Sequence, residues 1–362
     1  MTGTGMFGCG GSENAEAKAP AVPPIDVAGG PWLMPDEADP HKRTWMAFGA
    51  SRSIWGDKLL PTAQNNLGLI ARTIAAFEPV TVFARQGELE LARTKCGPDV
   101  QLLATPLNDS WMRDIGPVFV KGSGAERAAL DFNFNGWGDR QTHALDKRVA
   151  ATTVRAAGVR LLNTSLVLEG GGIEVDGKGT AIITESCMLN DNRNPGVSKS
   201  DFETRLLALL GVQKIIWLPG IRGRDITDAH TDFYARFTEP GVVVAHLDTD
   251  PTSYDHAVTT RHLEILRSAT DVAGRRLRVV VLEGPTSVRP QFDSNEFAAG
   301  YINFYVCNGA VIAPQFGDAR ADDTARQTLR DLFSGREVVP LNIDGIAAGG
   351  GGIHCLTQQE PM

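Results

Sequence analysis

Along residues 171–185 (GGIEVDGKGTAIITE) two β-prone stretches flank Asp176-Gly177, which predicts a hairpin. Residues 201–210 then place apolar side chains at helical spacing, and 214–218 form a short apolar run of the strand type. The same order of strand, strand, helix and strand returns at 231–246, where Glu239-Pro240-Gly241 turns the chain, with a helix predicted over 254–269 and a strand over 277–282. It returns once more at 301–306 and 310–314 around Asn308-Gly309, a two-residue hairpin signal, ahead of helix 322–333 and strand 337–341. A fourth copy fits 118–158. A less regular fifth begins at Thr44 and continues through helix 61–77 and strand 80–83.

Five units spaced by roughly fifty residues predict an α/β fold in the form of a five-bladed, pseudo-symmetric propeller of ββαβ-type units, with strands facing a central axis and helices outside. An open parallel sheet would also use repeated helices and strands, but the hairpins inside the units argue against it. No glycine-rich dinucleotide fingerprint or phosphate loop follows a strand. After a small-residue and Pro-rich tail over 1–31, residues 32–362 run on without a linker-like shift in composition, which predicts a single catalytic domain.

Composition narrows the partners. A chain of 362 residues that is 42% hydrophobic can bury a large core. Its net charge of −8 argues against nucleic acid and favours small cations. Five cysteines form no CxxC pair and no zinc-finger spacing, so the reading is no metal, no disulfide framework and mostly reduced thiols. No apolar run is long enough to span a bilayer. Residues 1–9 (MTGTGMFGC) resemble the end of a lipoprotein signal. The chain as written is therefore read as cytoplasmic, with export as a lipoprotein modified at Cys9 the alternative if the true start lies upstream.

The chemically unusual residues sit near the beginnings of units: Asp114 in WMRDIGP, Glu169 before three glycines, His230 and Asp232, and Cys355 after GGGGIH. A ring would bring them to one end of its axis. His230 and Asp232, at i and i+2 of an expected strand, would share a face. By the same extended geometry Arg113 turns away from Asp114 into structural pairing, and His354 turns away from Cys355. Three carboxylates, Asp114, Glu169 and Asp232, make a pocket that a cation relieves, and a planar guanidinium matches carboxylates with a fork of donors. A cysteine thiolate can attack the guanidinium carbon, and a histidine can protonate the departing ammonia and then deprotonate water. Such chemistry needs neither a metal nor an organic cofactor. Trp111 and Trp137 are candidates to line the channel for the substrate's alkyl chain, while Cys187 and Cys307 read as core or strand residues. Taken singly, Cys355 reads as core, His230 as core or surface, Glu169 as a turn cap and Asp114 as a partner for Arg113. The weight rests on their convergence.

WMRDIGP at 111–117, EGGG at 169–172, NRNP at 192–195 and GGIHCLTQQ at 351–359 resemble the agmatine deiminase family, which also includes bacterial peptidyl-arginine deiminases. The resemblance runs from Met34 onward and takes in YINFY at 301–305. It implies the five-bladed α/β propeller of guanidine-modifying enzymes. It also implies Cys355 as nucleophile, His230 as acid and base, and Asp114, Glu169 and Asp232 holding the guanidinium. Members hydrolyse agmatine to N-carbamoylputrescine and ammonia, in polyamine formation or agmatine catabolism. Dimers and tetramers are common among them, and no interface is legible here. Two departures stand out: Asp228-Ala229 where members carry Asn-Gly or Asp-Gly before the histidine, and Gly352 where they often carry Asn. Three alternatives stay open: a peptidyl-arginine or free-arginine deiminase, an amidinotransferase, and a guanidinium- or polyamine-binding protein without turnover.

Overall fold

The computed structural model describes residues 31–292 and 296–362; the expected tail, Cys9 included, lies outside the described residues apart from Pro31. The strands are β1 (His41–Phe48), β2 (Val80–Ala84), β3 (Gln101–Ala104), β4 (Val118–Lys121), β5 (Arg127–Asp131), β6 (Arg160–Asn163), β7 (Glu174–Val175) and β8 (Thr180–Thr184). They continue with β9 (Lys214–Leu218), β10 (Ala235–Glu239), β11 (Val242–Leu247), β12 (Arg278–Glu283), β13 (Tyr305–Cys307), β14 (Ala310–Gln315), β15 (Glu337–Asn342) and β16 (Thr357–Pro361). Together they make a mixed α/β fold of five small sheets.

Four of the sheets repeat one plan. In β4-β5-β6, β7-β8-β9, β10-β11-β12 and β13-β14-β15 the first two strands are antiparallel and the third is parallel to the second. A tight turn suffices for the antiparallel pair, whereas the parallel strand needs a crossover, supplied by helices Val149–Ala157, Lys199–Leu210, His256–Ser268 and Ala319–Leu332. The second strand of each sheet is buried on both faces over most of its length, so it reads as a continuous apolar run.

One crossover shows how sequence sets the boundaries. Ser198 caps helix Lys199–Leu210 by accepting from the Asp201 amide, and Gly211 ends it with a left-handed φ of 65°. Phe202, Leu206, Leu209 and Leu210 fall on one face and are fully buried against β8 and its neighbours. Each such side chain contributes about 1.5–3 kcal/mol relative to exposure.

The irregular unit at 44–83 has a simple explanation. Its antiparallel strand is not adjacent in sequence: β16 pairs with β1, Thr44 opposite Gln359 and Trp45 opposite Gln358, in the sheet β16-β1-β2-β3. Two boundaries differ from expectation. The helix expected from Pro61 already begins at Arg52, interrupted at Gly56 with φ 65°. The strand expected over 301–306 is confined to β13. Ahead of it, the Phe304 carbonyl accepts from Arg236 and the Asn303 carbonyl accepts from the His354 amide, so neither carbonyl pairs with a neighbouring strand. The largest apolar cluster contains Trp55, Trp111, Trp137, Phe304 and Cys355, so the candidate site is founded on the main core. Among the described residues no helix is long and apolar enough to cross a membrane.

Candidate active site

Connections between the strands carry the predicted polar residues. Asp114 sits in the turn Met112–Ile115, Glu169 precedes the turn Gly170–Gly172, His230 precedes the turn Thr231–Phe233 that contains Asp232, and Cys355 lies within the turn His354–Leu356. His230 and Asp232 are therefore not on a strand, which begins only at Ala235. Asp228 and Ala229 adopt left-handed φ values of 62° and 73°, which bend the chain just before His230. His354 and Cys355 likewise lie on a helical turn, so the alternation expected of an extended chain does not apply to them.

Convergence is tight around Gly171. A Cβ there would stand 2.6 Å from His230 Nδ1, 2.9 Å from Asp114 Oδ1 and 3.1 Å from Asp232 Oδ2. Only a residue without a side chain leaves these three groups room to face a common ligand. Its amide donates to Asp114 Oδ1 at 3.1 Å, while Trp137 Nε1 donates to Asp114 Oδ2 at 3.0 Å. Cys355 Sγ lies 3.6 Å from Asp232 Oδ2 and 3.3 Å from Asn303 Nδ2. Asp232 Oδ2 also accepts from His354 Nδ1 at 2.8 Å, whereas its buried Oδ1 has no partner among the described residues.

Glu169 faces His230 and Arg193. Its Oε2 is 3.1 Å from His230 Nε2, and Arg193 Nε lies 2.9 Å from both of its oxygens. Arg193 in turn donates to Asp228 at 2.8 Å. Glu169 is thus already paired with a cation of the protein. Cys187, read as having no comparable neighbours, is buried with its sulphur 3.7 Å from Glu169 Oε2. Glu169, Cys187 and His230 offer ligand atoms within 4.8 Å of one another, a spacing a metal could use, but Arg193 already holds the carboxylate that such an ion would need.

Burial sets the electrostatics, modified by neighbours. It pushes the Cys355 thiol well above the usual range, and Asp232 and Asp114 add to the effect. Burial also raises Asp114 to about 6, with His230 pulling it down and Glu169 and Asp232 pushing it up. For His230 burial favours the neutral ring, but Asp114 and the groups behind it hold its pKa well above the ordinary value. Glu169 and Asp232 stay below the usual carboxylate value despite burial, Glu169 through Arg193 and Asp232 through His354. The site therefore presents a protonated imidazolium, a neutral thiol, an ionised Asp232 and an Asp114 whose carboxylate burial disfavours.

Cys355, His230 and Asp114 open onto a cavity of about 930 Å³, with Trp111 and Trp137 among its walls. Trp111 stacks on Trp55 at 5.6 Å, and both indoles donate to Asp109. Gly351 lets Trp111 lie against the cysteine-bearing loop, since a Cβ there would come within 2.3 Å of its ring. Toward solvent the wall is acidic, with Asp225, Asp248, Asp250 and Asp255; Arg224, its one arginine, lies over the Tyr254 ring at 3.9 Å.

Residues 33–361 match the model of the Porphyromonas-type peptidyl-arginine deiminases. The chain belongs to this family. Within it, the chain is 43% identical over 336 residues to a protein of Streptomyces coelicolor, covering 91% of this chain and 98% of that one. It is 38% identical over 361 residues to the agmatine deiminase of Medicago truncatula, covering 91% and 96%. The solved agmatine deiminase of Enterococcus faecalis superposes with a TM-score of 0.87 at 31% identity over 93% of this chain and 99% of that one. Family membership makes the protein a hydrolase acting on C–N bonds of amidines and guanidines.

Against this family background, sequence reasoning missed Arg193, Asn303 and Glu37. Arg193 and Asn303 lie in the stretches NRNP and YINFY, so a signal was present, but it did not distinguish a residue that supports the site from one that supports the fold. Glu37 gave no signal. It lies in the approach to β1, yet accepts from Arg113, Arg236 and the Val306 amide at 2.8–2.9 Å. Arg113 pairs here, as expected of a structural arginine, and not with Asp114.

Proposed function

We propose that the protein is an agmatine deiminase, hydrolysing agmatine to N-carbamoylputrescine and ammonia through a covalent intermediate on Cys355. The observation that carries this is the pair of buried carboxyls, Asp114 and Asp232, beside a cysteine at the floor of a cavity whose outer wall is acidic. The guanidinium end neutralises the pair. The outer wall suits a distal ammonium better than the carboxylate of arginine, because Asp225, Asp248, Asp250 and Asp255 line it against a single arginine.

Binding of a cation beside Cys355 reverses the local field that keeps the thiol protonated, and its proton leaves to solvent. The sulphur then attacks the guanidinium carbon, forming the C–S bond and a neutral tetrahedral adduct. His230 is protonated beforehand and gives its proton to one amino group, which departs as ammonia with its bonding pair and leaves an S-linked thiouronium. Water adds to that carbon while His230 takes its proton. Collapse breaks the C–S bond, releases the ureido product and returns the sulphur to a thiol. Glu169 and Arg193 act through His230, holding Nε2 so that Nδ1 faces Asp114 and the ligand. Trp111 and Trp137 wall the alkyl chain.

The five sheets are read as blades of an α/β propeller, supported by the repeated strand plan and by β16 completing the sheet of β1. Residues 32–362 then form one catalytic domain. Among the described residues four free, buried cysteines fit a reducing, cytoplasmic setting.

Agmatine, free arginine and arginyl peptides assayed side by side for ammonia and ureido product test the reading, with Cys355→Ser as control. Agmatine is expected to be turned over, and Cys355→Ser to lose at least a thousandfold in rate. Citrulline formed in peptides with none from agmatine would transfer the activity to peptidyl arginine; agmatine bound without ammonia would make this a binding protein.

A further inference from the structure

His354 adjoins the nucleophile in sequence, and its ring meets the same Asp232 oxygen that lies beside Cys355. Both edges of its ring are engaged. Nδ1 is 2.8 Å from Asp232 Oδ2 in hydrogen-bonding geometry, and Nε2 is 2.9 Å from Glu37 Oε2. The backbone on either side is fixed as well: the His354 amide donates to Asn303 Oδ1 at 3.0 Å, and its carbonyl accepts from Arg113 Nε at 3.3 Å. Glu37 is held by three further groups from distant parts of the chain, Arg113, Arg236 and the Val306 amide, so it cannot follow the ring if the ring moves. Glu37, His354 and Asp232 therefore form a buried line that ends at the carboxylate beside Cys355, with all three residues less than a tenth exposed.

A carboxylate can swing about its last torsion, exchanging its two oxygens or turning both away from a ligand. Here one oxygen is tied to a ring that is itself tied at its far edge, and the other has no partner among the described residues. An unpartnered buried carboxylate oxygen is costly unless a ligand completes it. We propose that His354 is a positioning residue for the substrate: its Nδ1–H holds Oδ2 of Asp232 toward Cys355 and the space beside Gly171, fixing the orientation in which this carboxylate meets the guanidinium, and Glu37 locks the ring in that orientation. This rests on the reading that a guanidinium binds between Asp114 and Asp232. It assigns His354 no part in proton transfer, which belongs to His230.

The test exploits two amides. Asparagine places its NH2 group near the position of Nδ1, whereas glutamine places its NH2 nearer that of Nε2. His354→Asn can therefore restore the bond to Asp232, and His354→Gln can keep only the contact with Glu37. With agmatine as substrate, His354→Gln is expected to raise KM at least tenfold while kcat falls less than threefold. His354→Asn should hold KM within threefold of the wild type. Glu37→Gln should raise KM in the direction of His354→Gln. Equal KM changes in the asparagine and glutamine variants, or a loss confined to kcat, would overturn the proposal.

Should the variants fail to fold, wild-type protein labelled with 15N-histidine supplies a second arm. A slowly exchanging Nδ1–H signal, assigned to His354 by its proximity to Asn303 and Cys355, supports the assignment. A His354 ring protonated only at Nε2 refutes it. Absence of agmatine turnover in the wild type would defeat the substrate reading, and the nuclear magnetic resonance arm would then decide the His354–Asp232 bond independently.

Discussion

Cys355 Sγ lies 3.6 Å from Asp232 Oδ2, a sulphur set against a carboxylate. Burial, with Asp232 and Asp114 adding to it, keeps the sulphur as a thiol in the free protein. Alkylation of Cys355 by iodoacetamide, followed by mass spectrometry, should be slow at neutral pH and still be rising past pH 9, although agmatine is turned over at neutral pH. A labelling rate that has already levelled off at pH 7 would mean a thiolate before substrate arrives.

Asp114 gives the acid limb of the activity. With its pKa raised to about 6, it becomes protonated as the pH falls through that value and ceases to neutralise the guanidinium. KM should be flat above about pH 7 and rise below about pH 6, approaching roughly tenfold per unit for one essential ionisation. A KM unchanged between pH 7 and 5 would remove Asp114 from substrate binding.

Gly171→Ala should abolish activity while leaving the fold intact. The added methyl would stand within about 3 Å of His230, Asp114 and Asp232, in the space where their side chains converge. Isothermal titration with agmatine on Cys355→Ser with and without the alanine separates loss of binding from loss of chemistry. Undiminished binding in the double variant would show that the ligand lies elsewhere.

Arg193→Met should be severely destabilising. It leaves Glu169 a buried carboxylate stripped of its guanidinium, and Asp228 with Arg140 alone, a loss of about 3–5 kcal/mol when one partner of a buried pair is removed. Urea denaturation of Arg193→Met beside the Arg193→Met/Glu169→Gln pair measures the coupling, and the double variant should recover part of the deficit. Equal stabilities for the two would show that Glu169 does not depend on Arg193.

Ala229→Gly should stabilise the protein without altering kcat. Ala229 holds φ 73°, which costs a residue with a Cβ about 1 kcal/mol, and it precedes His230 directly. Thermal unfolding should shift upward by about 1–3 °C. A lower midpoint would mean that the methyl group makes contacts worth more than the backbone strain.

Much of this architecture was legible because its units are local. A hairpin such as that around Asn308-Gly309 and a capped helix such as Lys199–Leu210 carry their own signals within a few residues. The pairing of β1 with β16 was not legible, since alternation along one strand cannot name a partner more than three hundred positions away. The site followed the same division. Cys355, His230, Asp114 and Asp232 stand beside glycines or each other, and could be picked out. Glu37 and Arg193 could not, because their meaning comes from the residues they meet across the fold. Glu169 was found, but its pairing was not legible: a carboxylate that binds a cationic ligand and one that steadies a histidine look identical until Arg193 is seen 2.9 Å away.

The strand that completes the first sheet directly follows the turn bearing Cys355. During synthesis all strands of the other four sheets have emerged before either. The nucleophile is therefore carried on the last-made segment, which is held in place by its own closing strand. The contact that closes the first sheet is thus also the one that anchors the turn bearing Cys355.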